Sequence, residues 1–152
     1  MTDRLRRLLV LTSIVLIATA AAATGETVKT TPAKGATYKG VVRAETITVK
    51  VASNGRTAKV SLPGAPAFCQ GGSGPQKQSS KPGAISKGGA LTVKIGYSAV
   101  GGHTTFATVT VKGNFFTFGK STPVFQGTVK SSFAAAGSKE CDGQESFEAT
   151  KG

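Results

Sequence analysis

The strict alternation of apolar and polar residues on either side of Asn54-Gly55 constrains this chain more than any other feature of it. Ile47, Val49 and Val51 alternate with Thr48, Lys50 and Ala52, and Ala58, Val60 and Leu62 alternate with Thr57, Lys59 and Ser61. A period of two is that of a strand with one buried face. Asn-Gly between two such runs is the strongest local hairpin signal, because both residues tolerate the backbone angles of a tight reversal. Counting outward from the turn pairs Val51 with Ala58, Val49 with Val60 and Ile47 with Leu62, so each apolar side chain meets another. The opposite face sets Thr48 against Ser61 and Lys50 against Lys59, a like-charge pair that water must screen. That face is therefore expected to be exposed.

The same pattern recurs downstream. Leu91, Val93, Ile95 and Tyr97 alternate with Thr92, Lys94, Gly96 and Ser98; turn residues near Gly101-Gly102 follow, and Thr105, Ala107, Val109 and Val111 return. Gly113-Asn114 is expected to punctuate the chain before Phe115 to Phe118. Phe125, Val129 and Phe133 share a face around Gly127, and Phe147 with Ala149 suggest a short last strand. Residues 63 to 89 are dense in Gly, Pro, Ser, Gln and Lys, and are expected to hold only short strands, near Phe68-Cys69 and Ala84-Ile85-Ser86. No segment past residue 23 shows helical spacing. Many short strands with Gly-rich turns predict an all-β fold, an antiparallel β-sandwich of about eight strands, with a flattened barrel as the alternative.

The N-terminus has the three-part layout of a secretory signal: Arg4, Arg6 and Arg7, then an apolar run from Leu8 to Ile17, then small residues from Ala18 to Ala23. The run is shorter than the roughly 20 apolar residues of a membrane span. Cleavage is expected after Ala23, to within two residues, giving a secreted or envelope-associated protein with no transmembrane segment. Residues 24–35 then read as a flexible lead-in and 36–150 as one β domain. Taking residues 1 to 23 away removes three arginines and Asp3, which leaves sixteen basic and six acidic side chains, a net charge near +10. In an exported chain the two cysteines, Cys69 and Cys141, are expected to be bonded. Closing the 73 residues from one to the other is worth on the order of 4 kcal/mol in the chain-entropy model.

These elements resemble a group of small secreted proteins of high-GC Gram-positive bacteria. The resemblance runs over residues 36 to 149: Tyr38 and Gly40 in an opening strand, Ile47 to Gly55, Cys69, Val109 to Phe115, Gly127 to Val129, Cys141 to Gln144, and Phe147 to Ala149. Its positions are mostly glycines and core residues. It implies a fold and a disulfide, not an activity, and Asp142-Gly143 stands where the group often has Ser-Gly.

Catalytic constellations are scarce. His103 is the only histidine and falls in an expected turn, too isolated for a zinc site or a triad. Glu140, Asp142, Glu145 and Glu148 match no calcium loop. Paired glycosidase carboxylates usually lie among aromatic platforms, and this chain has no Trp and two Tyr. No enzyme, cofactor or metal is expected; the alternative is a secreted hydrolase using the acids near Cys141. Lys77, Lys81 and Lys87 stand in the long loop as the candidate contacts for an anionic partner, envelope polymer or lipid headgroups. Nucleic acid is disfavoured because no stacking aromatics accompany them. The oligomeric state is left open by the sequence.

Overall fold

A computed structural model describes residues 27–63, 76–99, 105–133 and 143–152. The expected signal segment, both cysteines and His103 lie outside the described residues. Ten strands are present: β1 (Thr27–Lys29), β2 (Thr37–Val42), β3 (Glu45–Val51), β4 (Thr57–Ser61), β5 (Gln76–Ser80), β6 (Gly83–Ala84), β7 (Ala90–Ala99), β8 (Thr105–Phe118), β9 (Val124–Phe133) and β10 (Gly143–Lys151). Every pairing is antiparallel, and the described residues contain no helix.

The sheet runs in the order β5-β7-β8-β9-β10-β2-β3-β4-β6, with β1 added alongside β8. It curls until its ends meet. Just past β6, Ile85 bridges Leu91 of β7, so the strand at one end of the path returns to the other end. The Ser80 hydroxyl donates to the carbonyl of Val60 at 3.2 Å, and the Tyr97 hydroxyl to that of Leu62 at 2.8 Å. β5 and β6 act as one strand broken at Lys81-Pro82, where proline has no N–H for the ladder. The result is the expected all-β antiparallel class, built from one curled sheet in meander order, the flattened-barrel form of that architecture.

Alternation fills the inside. Tyr38, Ile47, Val49, Val51, Val60, Val93, Ile95, Val109, Val111, Phe125 and Val129 are among the buried side chains, each separated from the next on its strand by an outward residue. The Asn54-Gly55 hairpin has the expected register, with Val51 opposite Ala58, Val49 opposite Val60 and Lys50 opposite Lys59. Its turn is wider than two residues. The Ala52 N–H donates to Thr57 O and the Gly55 N–H to Ala52 O, only Gly55 is left-handed (φ 70°), and Asn54 Oδ1 accepts from the Arg56 N–H at 2.8 Å.

Two departures from expectation share a cause in packing. β8 runs through Gly113-Asn114 without a break, because Gly113 faces Gly127 across β8 and β9 and the Phe125 ring fills the space their side chains would take. A Cβ on Gly113 would lie 2.5 Å from Phe125 Cζ, and one on Gly127 2.8 Å from Phe125 Cε1. Secondly, part of the expected lead-in is structured. After β1, residues 30 to 36 cross one end of the barrel: the Thr30 N–H donates to Phe115 O at 2.9 Å, Pro32 is buried, the Ala33 N–H donates to the Tyr38 hydroxyl at 3.1 Å, and the Gly35 N–H reaches Ala52 O at 3.1 Å. The segment spans from β8 to β3, opposite sides of the ring, and so caps that end.

Both tyrosines of the chain are buried, Tyr97 donating to Leu62 O and Tyr38 accepting from Ala33. Burial pushes both phenols above the ordinary value of 10.0, and the negative charge of Glu45 adds to the effect at Tyr97. A pKa raised on folding leaves stability untouched below about pH 10 and withdraws it as the pH rises further, since only the unfolded chain releases those protons readily. Absorbance of tyrosinate near 295 nm should therefore stay flat through pH 10 and rise only together with loss of far-ultraviolet β signal. A normal titration centred on pH 10 in the folded protein would contradict the burial of both rings.

Candidate functional site

The outer surface of β7, β8 and β9 is a lattice of lysine and threonine. Register places Lys94 opposite Thr110 and Thr110 opposite Lys130; the next row sets Thr92, Lys112 and Thr128 side by side. Lys94, Lys112 and Lys130 are all exposed. Strands about 4.8 Å apart and a rise near 3.4 Å per residue put Lys112 about 8 Å from Lys94 and from Lys130, and those two about 10 Å from each other, by Cα position. β-Branched threonine suits the pleat, and its methyl and hydroxyl leave the ammonium groups standing free of neutralising carboxylates. Such an arrangement binds anionic groups spaced along a chain.

Next to this lattice lies an open groove of about 750 Å³ on the outside of β8, β9 and β10, where Lys112, Asn114, Gln126, Thr128, Ser146 and Glu148 converge above the facing glycines. Gln126 Nε2 donates to Glu148 Oε2 at 2.9 Å, so that carboxylate is already engaged. Amide and hydroxyl groups beside one ammonium suit a hydrated, hydroxyl-bearing anionic ligand better than an apolar one.

The lysines singled out from the sequence are placed differently. Lys77 belongs to β5, Lys81 is exposed at the break between β5 and β6, and Lys87 is exposed in the turn before β7. They are not a mobile flap: Lys77 and Lys81 are about 13 Å apart along an extended strand, and Lys87 lies at the capped rim. Their closeness in sequence does not become a cluster, whereas the lattice lysines come together only through strand register.

Of the acids near Cys141, Glu140 and Asp142 lie outside the described residues. Glu145 and Glu148 are an odd and an even position of β10 and so project to opposite faces. Glu145 Oε1 accepts from Arg43 Nε at 2.7 Å, and Glu148 is held by Gln126. Arg43 and Ala44 form the two-residue turn between β2 and β3 with φ of 47° and 67°, a left-handed pair without glycine, and the Arg43 to Glu145 bond helps hold that strained turn over β10. Among the described residues no group of three His, Cys, Asp or Glu side chains is arranged to hold a metal ion.

No family model, curated protein or solved structure matches this chain.

Proposed function

We propose that the protein is an exported, non-enzymatic binding module of the cell envelope, and that the lysine–threonine lattice of β7 to β9, with the adjoining groove, takes an anionic envelope polymer. The observation that carries the reading is the acid-free triangle of Lys94, Lys112 and Lys130 on a sheet face whose register fixes their spacing. The net charge near +10 beyond residue 23 draws polyanions to the surface, and the lattice supplies a place for them to settle. Export rests on the three-part N-terminus. The Cys69 to Cys141 bond is supported by topology: residues 64–75 and 134–142 both leave from and return to the rim opposite the cap, so a bond between them would tie the uncapped end.

Retention on immobilised wall polymer or acidic polysaccharide should fall steeply with salt. If each of the three lysines displaces one counterion from the polymer, affinity should drop roughly 20- to 40-fold between 50 and 200 mM salt. The combined change Lys94→Gln, Lys112→Gln and Lys130→Gln should remove most of that dependence, while the same change at Lys77, Lys81 and Lys87 should do less. Retention that is insensitive to salt, or equal losses from the two triples, would refute the assignment of the lattice.

A further inference from the structure

One patch of the outer surface breaks the polar pattern. Phe116 and Val124 face each other across the β8–β9 hairpin, and Phe118 follows Phe116 at the next outward position. Phe118 is 40% exposed, although its neighbours in the outer rows are lysine, threonine, asparagine and glutamine, and Val28 on the adjoining β1 is 50% exposed. The hairpin tip is held in shape, with the Ser121 N–H donating to Phe118 O at 3.1 Å and the Phe118 N–H to Ser121 Oγ at 3.0 Å. Phe118 is thus held outward on a fixed support. Around this patch the charges are of one sign apart from Glu148. Lys29 sits directly opposite Phe116, Lys120 is exposed in the turn, and Lys151 is exposed at the end of β10. Glu148 is engaged by Gln126.

Aromatic and aliphatic side chains ringed by ammonium groups complement a surface that is apolar below and anionic at its face. We propose that the β8–β9 hairpin docks the protein on an anionic lipid bilayer, Phe116, Phe118 and Val124 entering the headgroup layer while Lys29, Lys120 and Lys151 pair with lipid phosphates. Aromatic rings settle at that depth, and each nearby lysine adds to attraction by an anionic leaflet. This goes beyond polymer binding: it uses a different patch, at the capped end of the barrel, and leaves the lattice on β7 to β9 free.

The probe is a vesicle of phosphatidylcholine with about 30 mol% phosphatidylglycerol, a charge density that lysines near the surface detect. The protein should sediment with these vesicles and not with pure phosphatidylcholine, and Phe116→Ser with Phe118→Ser should lower partitioning by at least about tenfold by removing the inserted apolar surface. Retention on anionic polymer should be unchanged in that variant, which separates failure here from failure of the lattice reading. Because the chain has no Trp, Phe118→Trp supplies a second readout that does not depend on the double variant folding: its emission should shift to the blue with the anionic vesicles. No sedimentation of the wild type, undiminished partitioning of the serine variant, or no blue shift would each overturn the proposal. So would a concentration-dependent dimer abolished by Phe118→Ser without vesicle binding, since the patch would then be covering a second copy of the chain.

Discussion

Phe115→Ala should destabilise the fold by about 3–5 kcal/mol, the range for emptying a fully buried phenylalanine site. Phe115 is wholly buried and is the middle of a run of edge-on aromatic contacts: its ring centroid lies 5.1 Å from that of Tyr38 and 4.9 Å from that of Phe125, which in turn is 5.8 Å from Phe147. These four rings come from β2, β8, β9 and β10, so one deletion loosens four strands at once. It also opens the region that the facing glycines keep clear, and Tyr38 cannot collapse into it without giving up the bond from the Ala33 N–H. The backbone N–H and C=O of Phe115 bond to Gly89 and Thr30, tying the cap to the same residue. Against a typical total of about 5–15 kcal/mol, such a loss leaves a fold close to its limit. Urea unfolding followed by far-ultraviolet circular dichroism measures it. Phe118→Ala, at an exposed site on the same strand, should change stability by no more than about 0.5–1 kcal/mol. Equal effects at the two positions would mean the aromatic run is not the centre of the core.

How far the sequence discloses this molecule depends on the distance over which each feature is encoded. The register of β3 and β4 is legible because the turn residues and both alternating runs lie within sixteen residues, Ile47 to Leu62. Pairing of β7 with β8 is legible for the same reason, since Val93, Ile95 and Tyr97 alternate in step with Ala107, Val109 and Val111. Closure of the barrel is not. It depends on Ala149 meeting Gly40, a pairing of chain ends with no local signal, and on Gly40 having no side chain where a Cβ would come 2.3 Å from Glu148 O. β1 and the cap lie in a run of Thr, Lys and Pro with no period, and are ordered by bonds to residues far along the chain. For the candidate site, sequence proximity drew attention to Lys77, Lys81 and Lys87. Lys94, Lys112 and Lys130 are 18 residues apart in sequence, yet the period-two pattern already set each of them on the polar side of its strand. Applying the hairpin register to the polar face as well as to the apolar one would have brought the lattice into view.

The cap makes a sharper demand on one residue than any side chain does. Gly89 closes the turn between β6 and β7 with φ of 76°, its N–H donating to Ser86 O at 2.9 Å and its carbonyl accepting from the Phe115 N–H at 3.1 Å. A Cβ there would sit 2.0 Å from Thr30 O and 3.4 Å from Phe115 Cβ. Alanine in the left-handed region costs roughly 1–2 kcal/mol from backbone sterics alone. The overlap with Thr30 O adds to this, because a backbone carbonyl held by its own strand cannot swing aside like a side chain. Relief requires the segment from Thr30 to Ala36 to lift from the barrel end, which would break the bond from the Thr30 N–H to Phe115 O and uncover Pro32. Gly89→Ala should therefore lose about 3 kcal/mol or more, with hydrogen exchange quickened first at Thr30 and Phe115. Gly88→Ala is the matched control. The nearest atom to its Cβ is Ser86 Oγ at 3.9 Å, and its cost should stay within about 0.5 kcal/mol. If Gly89→Ala proved as mild as its neighbour, with exchange at Thr30 unchanged, the segment from Thr30 to Ala36 would not be pressed against the barrel end as described.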